Sequence, residues 1–78
     1  MGEITQIEQY VIDRVRERRK ELGMTQQELA VALNVSNGFI GSVESSKFDD
    51  KYNLSHLNDL ARILRCAPRD FLPTAPLD

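Results

Sequence analysis

The sequence predicts a small all-α domain of five helices, and three observations carry that prediction. Apolar residues recur at three- and four-residue intervals through most of the chain rather than in strict alternation. Thr25, Ser36 and Asn53 stand where helix N-caps belong, and Gly23 and Asn34 stand where helices end. At 78 residues the chain has room for one core and no second domain.

From Ile4 the apolar residues Ile7, Val11, Val15 and Leu22 follow helical spacing with charged residues opposite, and Gly23 closes this first helix. Residues 1–10 read as an extension of it. Thr25 followed by Gln26, Gln27 and Glu28 forms a capping-box pattern, in which the carboxylate reaches back to the cap. The second helix then presents Leu29, Ala30 and Leu33 on one face and stops at Asn34, a residue that tolerates the left-handed conformation. Ser36 caps a third helix carrying Phe39, Ile40 and Val43, which runs out in Ser45-Ser46-Lys47. Phe48 to Tyr52 is a charged loop. Asn53 caps a fourth helix with Leu54, Leu57, Leu60, Ala61 and Leu64, and Pro68 suits the first turn of a short fifth ending near Leu72. The ordered domain is therefore expected over residues 1–72, with a flexible tail over 73–78.

Composition narrows the function classes. Cys66 is the only cysteine and His56 the only histidine, so neither a disulfide framework nor a soft-ligand metal site can be assembled, and no cofactor is expected. No nucleophile, acid/base pair or phosphate loop is spelled out, which argues against an enzyme. No signal peptide or membrane-spanning run is visible, so a cytoplasmic, reducing compartment is the default expectation. The formal net charge is −2 and the pI about 5.3, without the overall basic excess common in nucleic-acid binders. Charge is uneven, however. Arg14, Arg16, Arg18, Arg19 and Lys20 crowd one stretch, either as a local positive field or as a solvated helix face interleaved with Glu17 and Glu21.

The segment Gln26 to Glu44 has the spacing of a helix-turn-helix. Leu29 and Leu33 face inward from its first helix, Val35 seals the turn, and Ile40 and Val43 face inward from its second. Ala30 falls where the helices approach most closely. Outward on the second helix lie Asn37, Gly38, Gly41 and Ser42, a polar strip of small residues that suits a major groove. In Met24-Thr25-Gln26-Gln27-Glu28-Leu29-Ala30, in Val35-Ser36 and in Ile40 with Val43-Glu44, the chain resembles the Cro and lambda-repressor type (Xre) helix-turn-helix regulators. The resemblance spans about Val11 to Leu72. It implies a compact five-helix lambda-repressor-like domain that binds double-stranded operator DNA as a dimer. It departs from the family in having Asn34 where a turn glycine is usual, and in having no Arg or Lys from Gln26 to Ser46.

By that resemblance Gln26 contacts a phosphate, Asn37, Gly38 and Ser42 face base edges, and an ion pair joins Arg19 to Glu44. The residue types agree: an amide beside a positive helix end suits a phosphate oxygen, and Asn pairs bidentately with adenine. The full set of candidate DNA contacts is Gln26, Gln27, Ser36, Asn37, Gly38, Phe39 and Ser42, with Lys47, Lys51 and Asn53 around the following loop. For Phe39, packing against helix neighbours stands beside contact with a thymine methyl. His56 and Cys66 read as structural. A homodimer is expected because two-fold symmetry doubles the few base contacts of one small domain, with Ile4, Ile7 and Leu77 as candidate contacts. The competing reading is a protein-interaction module, such as the partner of a toxin or a regulator's dimerisation unit.

Overall fold

The computed structural model describes residues 3–45 and 48–77. Four α-helices, α1 (Gln6–Glu21), α2 (Gln26–Leu33), α3 (Asn37–Glu44) and α4 (Leu54–Ile63), are followed by a 3-10 turn at Pro68–Phe71, and the described residues include no strand. Helix α3 packs against α2 and α1, while the 3-10 turn closes the bundle against α1 and α4.

Each helix start is fixed by a side chain. Thr25 Oγ1 accepts the Glu28 N–H at 3.0 Å while the Glu28 carboxylate accepts the Thr25 N–H at 2.8 Å. Thr5 and Glu8 repeat the device at α1. That cap sets the start of α1 at Gln6, so Glu3 to Thr5 precede the helix instead of extending it. Ser36 Oγ accepts the Phe39 N–H at 3.0 Å, and Asn53 Oδ1 accepts the His56 N–H at 2.7 Å. His56 completes the α4 cap, since its Nδ1 accepts the Asn53 N–H at 3.0 Å.

Three helices stop in the same way. Gly23, Asn34 and Arg65 adopt left-handed φ values of 67°, 62° and 62°. The next residue in each case donates back to the helix: Met24 to Arg19 O at 3.0 Å, Val35 to Ala30 O at 3.0 Å, Cys66 to Ala61 O at 2.9 Å. Met24, Val35 and Cys66 are then partly buried against the core. The stop thus satisfies carbonyls and also delivers an apolar side chain inward.

The core is formed by Val11, Ile12 and Val15 from α1, Leu29, Ala30 and Leu33 from α2, Ile40 and Val43 from α3, and Leu57, Leu60, Ala61 and Leu64 from α4 and its C-cap, closed by Tyr52 and Phe71. Several expectations need correction. Ile7, in the first turn of α1, and Leu22, its C-cap, are exposed, while Ile12 and Arg19 are buried. Ile4 packs against the core. Leu54, expected on the apolar face of α4, is 80% exposed as the first residue of that helix. The fifth element is a single 3-10 turn. Asp70 accepts the Ala67 N–H at 2.8 Å, and Leu72, which precedes Pro73, is held extended at φ −112° and ψ 149°.

The basic run on α1 is largely consumed within the protein. Arg14 pairs with Glu17, and Arg18 pairs with Glu21 at 3.2 Å. Arg18 Nε also donates to Leu64 O at 2.9 Å, placing a cation on the negative end of α4.

Arg65 is the one stop residue of the three that is neither Gly nor Asn, the types that enter the left-handed region most readily. Arg65→Gly is expected to raise stability by about 0.5–1 kcal/mol, and Arg65→Val to lower it by more than about 1 kcal/mol, in urea denaturation.

Candidate nucleic-acid interface

The centre of the motif is a buried carboxylate. Glu44, the last residue of α3, has a side chain 3% exposed, and Arg19 in the last turn of α1 is 9% exposed. Arg19 Nε donates to Glu44 Oε2 and Nη2 donates to Oε1, both at 2.8 Å, a two-pronged pair. The remaining nitrogen, Nη1, donates to Met24 O at 2.8 Å. Gln26, first residue of α2 and half-buried, adds a further donor: its Nε2 lies 3.0 Å from Glu44 Oε1. Arg19, Glu44 and Gln26 therefore form one chain linking α1, α3 and α2.

This chain holds the Gln26 amide against α3 beside Gly41, where an added Cβ would stand 3.7 Å from Gln26 Oε1. A Cβ at Gly38 would meet nothing within 4 Å. Neither glycine is required by packing, and neither has a positive φ. Asn37 and Gly38 are exposed and Gly41 and Ser42 half-buried, so the outer strip of α3 is low, uncharged and bordered by the Gln26 amide.

The other candidates are placed less uniformly. Gln27 lies on the outer side of α2, lining a hollow with Thr25, Glu28, Val31 and Ala32. Ser36 and Asn53 are helix caps. Phe39 is half-buried in an aromatic cluster, its ring centroid 5.4 Å from His56 and 6.2 Å from Tyr52. Lys51 Nζ is engaged by Glu8 Oε2 at 2.8 Å. The Lys51 ammonium, together with the Thr5 N–H, holds the Glu8 carboxyl below its ordinary range. Lys47 lies outside the described residues.

Tyr52, expected in a charged loop, is a core residue 8% exposed. Its hydroxyl is buried with no hydrogen-bond partner among the described residues. Burial first, and then the nearby Glu44 carboxylate, push its pKa up, with Arg19 opposing. Its one signal in the sequence is an aromatic residue directly after the charged Asp49, Asp50 and Lys51. Nothing in the sequence signalled the hydrogen bond from Gln26 to Glu44.

Elsewhere, a hollow lined by Arg14, Glu17, Arg18, Cys66 and Asp70 lies between α1 and the 3-10 turn. Burial, then Asp70, push the Cys66 thiol up, which opposes a nucleophilic role. Among the described residues no three His, Cys, Asp or Glu side chains are grouped to hold a metal, and no helix is long and apolar enough to cross a membrane.

Two short helices joined through Asn34–Ser36, the second carrying an exposed polar strip, define a helix-turn-helix domain. Residues 15–71 match the helix-turn-helix family. A Methanothermobacter thermautotrophicus protein described as an uncharacterized HTH-type transcriptional regulator is similar, at 36% identity over 58 residues that cover 74% of this chain and 77% of the relative. No solved structure matches. The chain belongs to the helix-turn-helix family of the Cro and lambda-repressor type.

Two substitutions separate the elements of the site. Glu44→Ala strands the buried Arg19 guanidinium and is expected to cost about 3–5 kcal/mol in denaturant unfolding. Tyr52→Phe removes an unpaired buried hydroxyl while keeping the ring contacts, and is expected to stabilise by about 1 kcal/mol in the same measurement.

Proposed function

We propose that this chain is a DNA-binding transcriptional regulator, acting as a repressor, that lays α3 in the major groove of double-stranded DNA. The observation that carries the reading is the uncharged outer strip of α3 together with the Gln26 amide held against its edge by Glu44. Asn37 reads a base edge, and Gly38 and Ser42 allow the groove floor to come close. Gln26 sets the register on a phosphate with the N–H that Glu44 does not take. Gln27 and Ser36 flank this contact at the two helix starts. Phe39, Asn53 and Lys51 serve the fold, through the aromatic cluster, the α4 cap and the Glu8 pair. The family match supports the DNA-binding class, and the relative's description supports regulation of transcription. Two copies on a palindromic site supply the affinity that one small neutral surface lacks.

Selection from random duplexes, followed by titration of variants on the selected sequence and on a scrambled one, tests the reading. Asn37→Ala is expected to cost about 1–3 kcal/mol on the selected site alone, and Gln26→Ala to weaken both duplexes together. If both variants bind each duplex like the parent chain, α3 is not the reading helix. The protein-interaction reading would then move to the outer face of α2, where Val31 is 74% exposed.

A further inference from the structure

Among the described residues, the Tyr52 hydroxyl is the one buried side-chain polar group left without a hydrogen-bond partner. Its ring lies edge-on to Phe39 of α3, at 6.2 Å, and to His56 of α4, at 5.9 Å. Those contacts account for the ring but not for the oxygen, since phenylalanine would make them without burying a hydroxyl. The hydroxyl lies near enough to Glu44 and Arg19 to feel both charges. Burial, then Glu44, push its pKa up, so it keeps the proton that a donor needs. Of the donors already on Glu44, the Arg19 guanidinium is fixed by both prongs and by Met24 O. Gln26 is held less firmly. It is half-buried, reaches Glu44 Oε1 at 3.0 Å, and lies beside Gly41, which has no side chain to pin the amide.

We propose that Tyr52 is a positioning residue for the phosphate contact of Gln26: its hydroxyl becomes the third donor to Glu44 when DNA draws the Gln26 amide outward. The inference rests on the phosphate role given to Gln26 above and supplies a step that this role requires. A phosphate oxygen that accepts the second Gln26 N–H sets one amide nitrogen between two anions, and the phosphate competes with Glu44 for it. Loss of the amide alone would leave Glu44 Oε1 with Arg19 Nη2 as its one remaining donor, a large penalty for a carboxylate only 3% exposed. The tyrosine hydroxyl turning onto that oxygen restores the count and ends its own isolation. The free chain therefore carries one unsatisfied buried group, and the DNA-bound chain carries none. A neutral phenol does this without adding a charge to the network, and no proton is transferred. The Phe39 ring, on the same helix as Glu44, keeps the phenol in register with that carboxylate.

Urea unfolding and DNA binding of the parent chain, Tyr52→Phe, Gln26→Ala and the double variant test it. In the parent background Tyr52→Phe removes an unpaired hydroxyl and is expected to raise the urea midpoint. In the Gln26→Ala background the hydroxyl already serves Glu44, so the same substitution is expected to lower the midpoint. A tyrosine that only packs has no reason to change sign between the two. On the selected and the scrambled duplex alike, Tyr52→Phe is expected to raise the dissociation constant about tenfold in the parent background and to leave it unchanged in the Gln26→Ala background. A midpoint that shifts in one direction in both backgrounds overturns the proposal, as does a Tyr52→Phe chain that binds both duplexes like the parent. The two readings fail separately. Sign reversal in chains that bind neither duplex would overturn the phosphate role of Gln26, and with it the use of the exchange. DNA binding weakened by Gln26→Ala with no sign reversal would overturn the exchange alone.

Discussion

The buried Glu44 carboxylate sets the terms for the rest of the domain. A charge taken out of water at this depth is tolerable only when its oxygens are matched by donors, and here Arg19 gives two and Gln26 a third. The donors come from two helices and the carboxylate from a third. The requirement to satisfy one carboxylate therefore fixes α1 against α3 and the start of α2 against both. Arg19 extends the constraint through Met24 O, so the turn between α1 and α2 belongs to the same network. The placement of the Gln26 amide beside the outer strip of α3 follows from neutralising a buried charge. Under the proposed function, a structural and a DNA-contacting role meet in that side chain.

The helix stops act on the same geometry from the backbone side. Only Asn34, Val35 and Ser36 separate α2 from α3. Asn34 reverses the chain in the left-handed region, Val35 is drawn against the core, and Ser36 starts the next helix with its own hydroxyl. Every residue of the turn has an assigned task, which leaves little freedom in the crossing of the two helices. With Ala30 2% exposed and Ile40 fully buried, the inner faces close tightly and the strip from Asn37 to Ser42 is presented on the far side.

What could be read in the sequence was local. Thr25 with Glu28, Ser36, Asn53 and Asn34 mark helix boundaries because caps and left-handed stops depend on neighbours within a few residues. The apolar faces of α2 and α3 were legible for the same reason, since period and burial coincide in short helices. At helix ends that coincidence fails: Ile7, Leu22 and Leu54 keep the period but are exposed. Pairings between distant long side chains leave no periodic trace. Lys51 with Glu8, Arg18 with the end of α4, and Gln26 with Glu44 are of this kind, and the pairing of Arg19 with Glu44 was suggested by family resemblance, not by spacing. Tyr52 was hidden because its charged neighbours in sequence are not its neighbours in space.

The charges left inside these pairs bear on how such a surface can hold DNA. From Gln26 to Ser45 the motif contributes no cation, and the nearest arginine, Arg19, is spent on Glu44. Few counterions are released by so neutral a face, so the sequence-independent part of the binding is small. Affinity then depends on amide and backbone N–H groups at the helix starts, whose dipoles favour phosphate without a formal charge. A half-site held by these alone is weak, but discrimination suffers less than affinity, because non-specific binding loses the same electrostatic support. Joining two such faces makes the second contact intramolecular and restores affinity without adding a charge. Under the proposed function, α3 supplies selectivity and the pairing of two copies on DNA supplies strength.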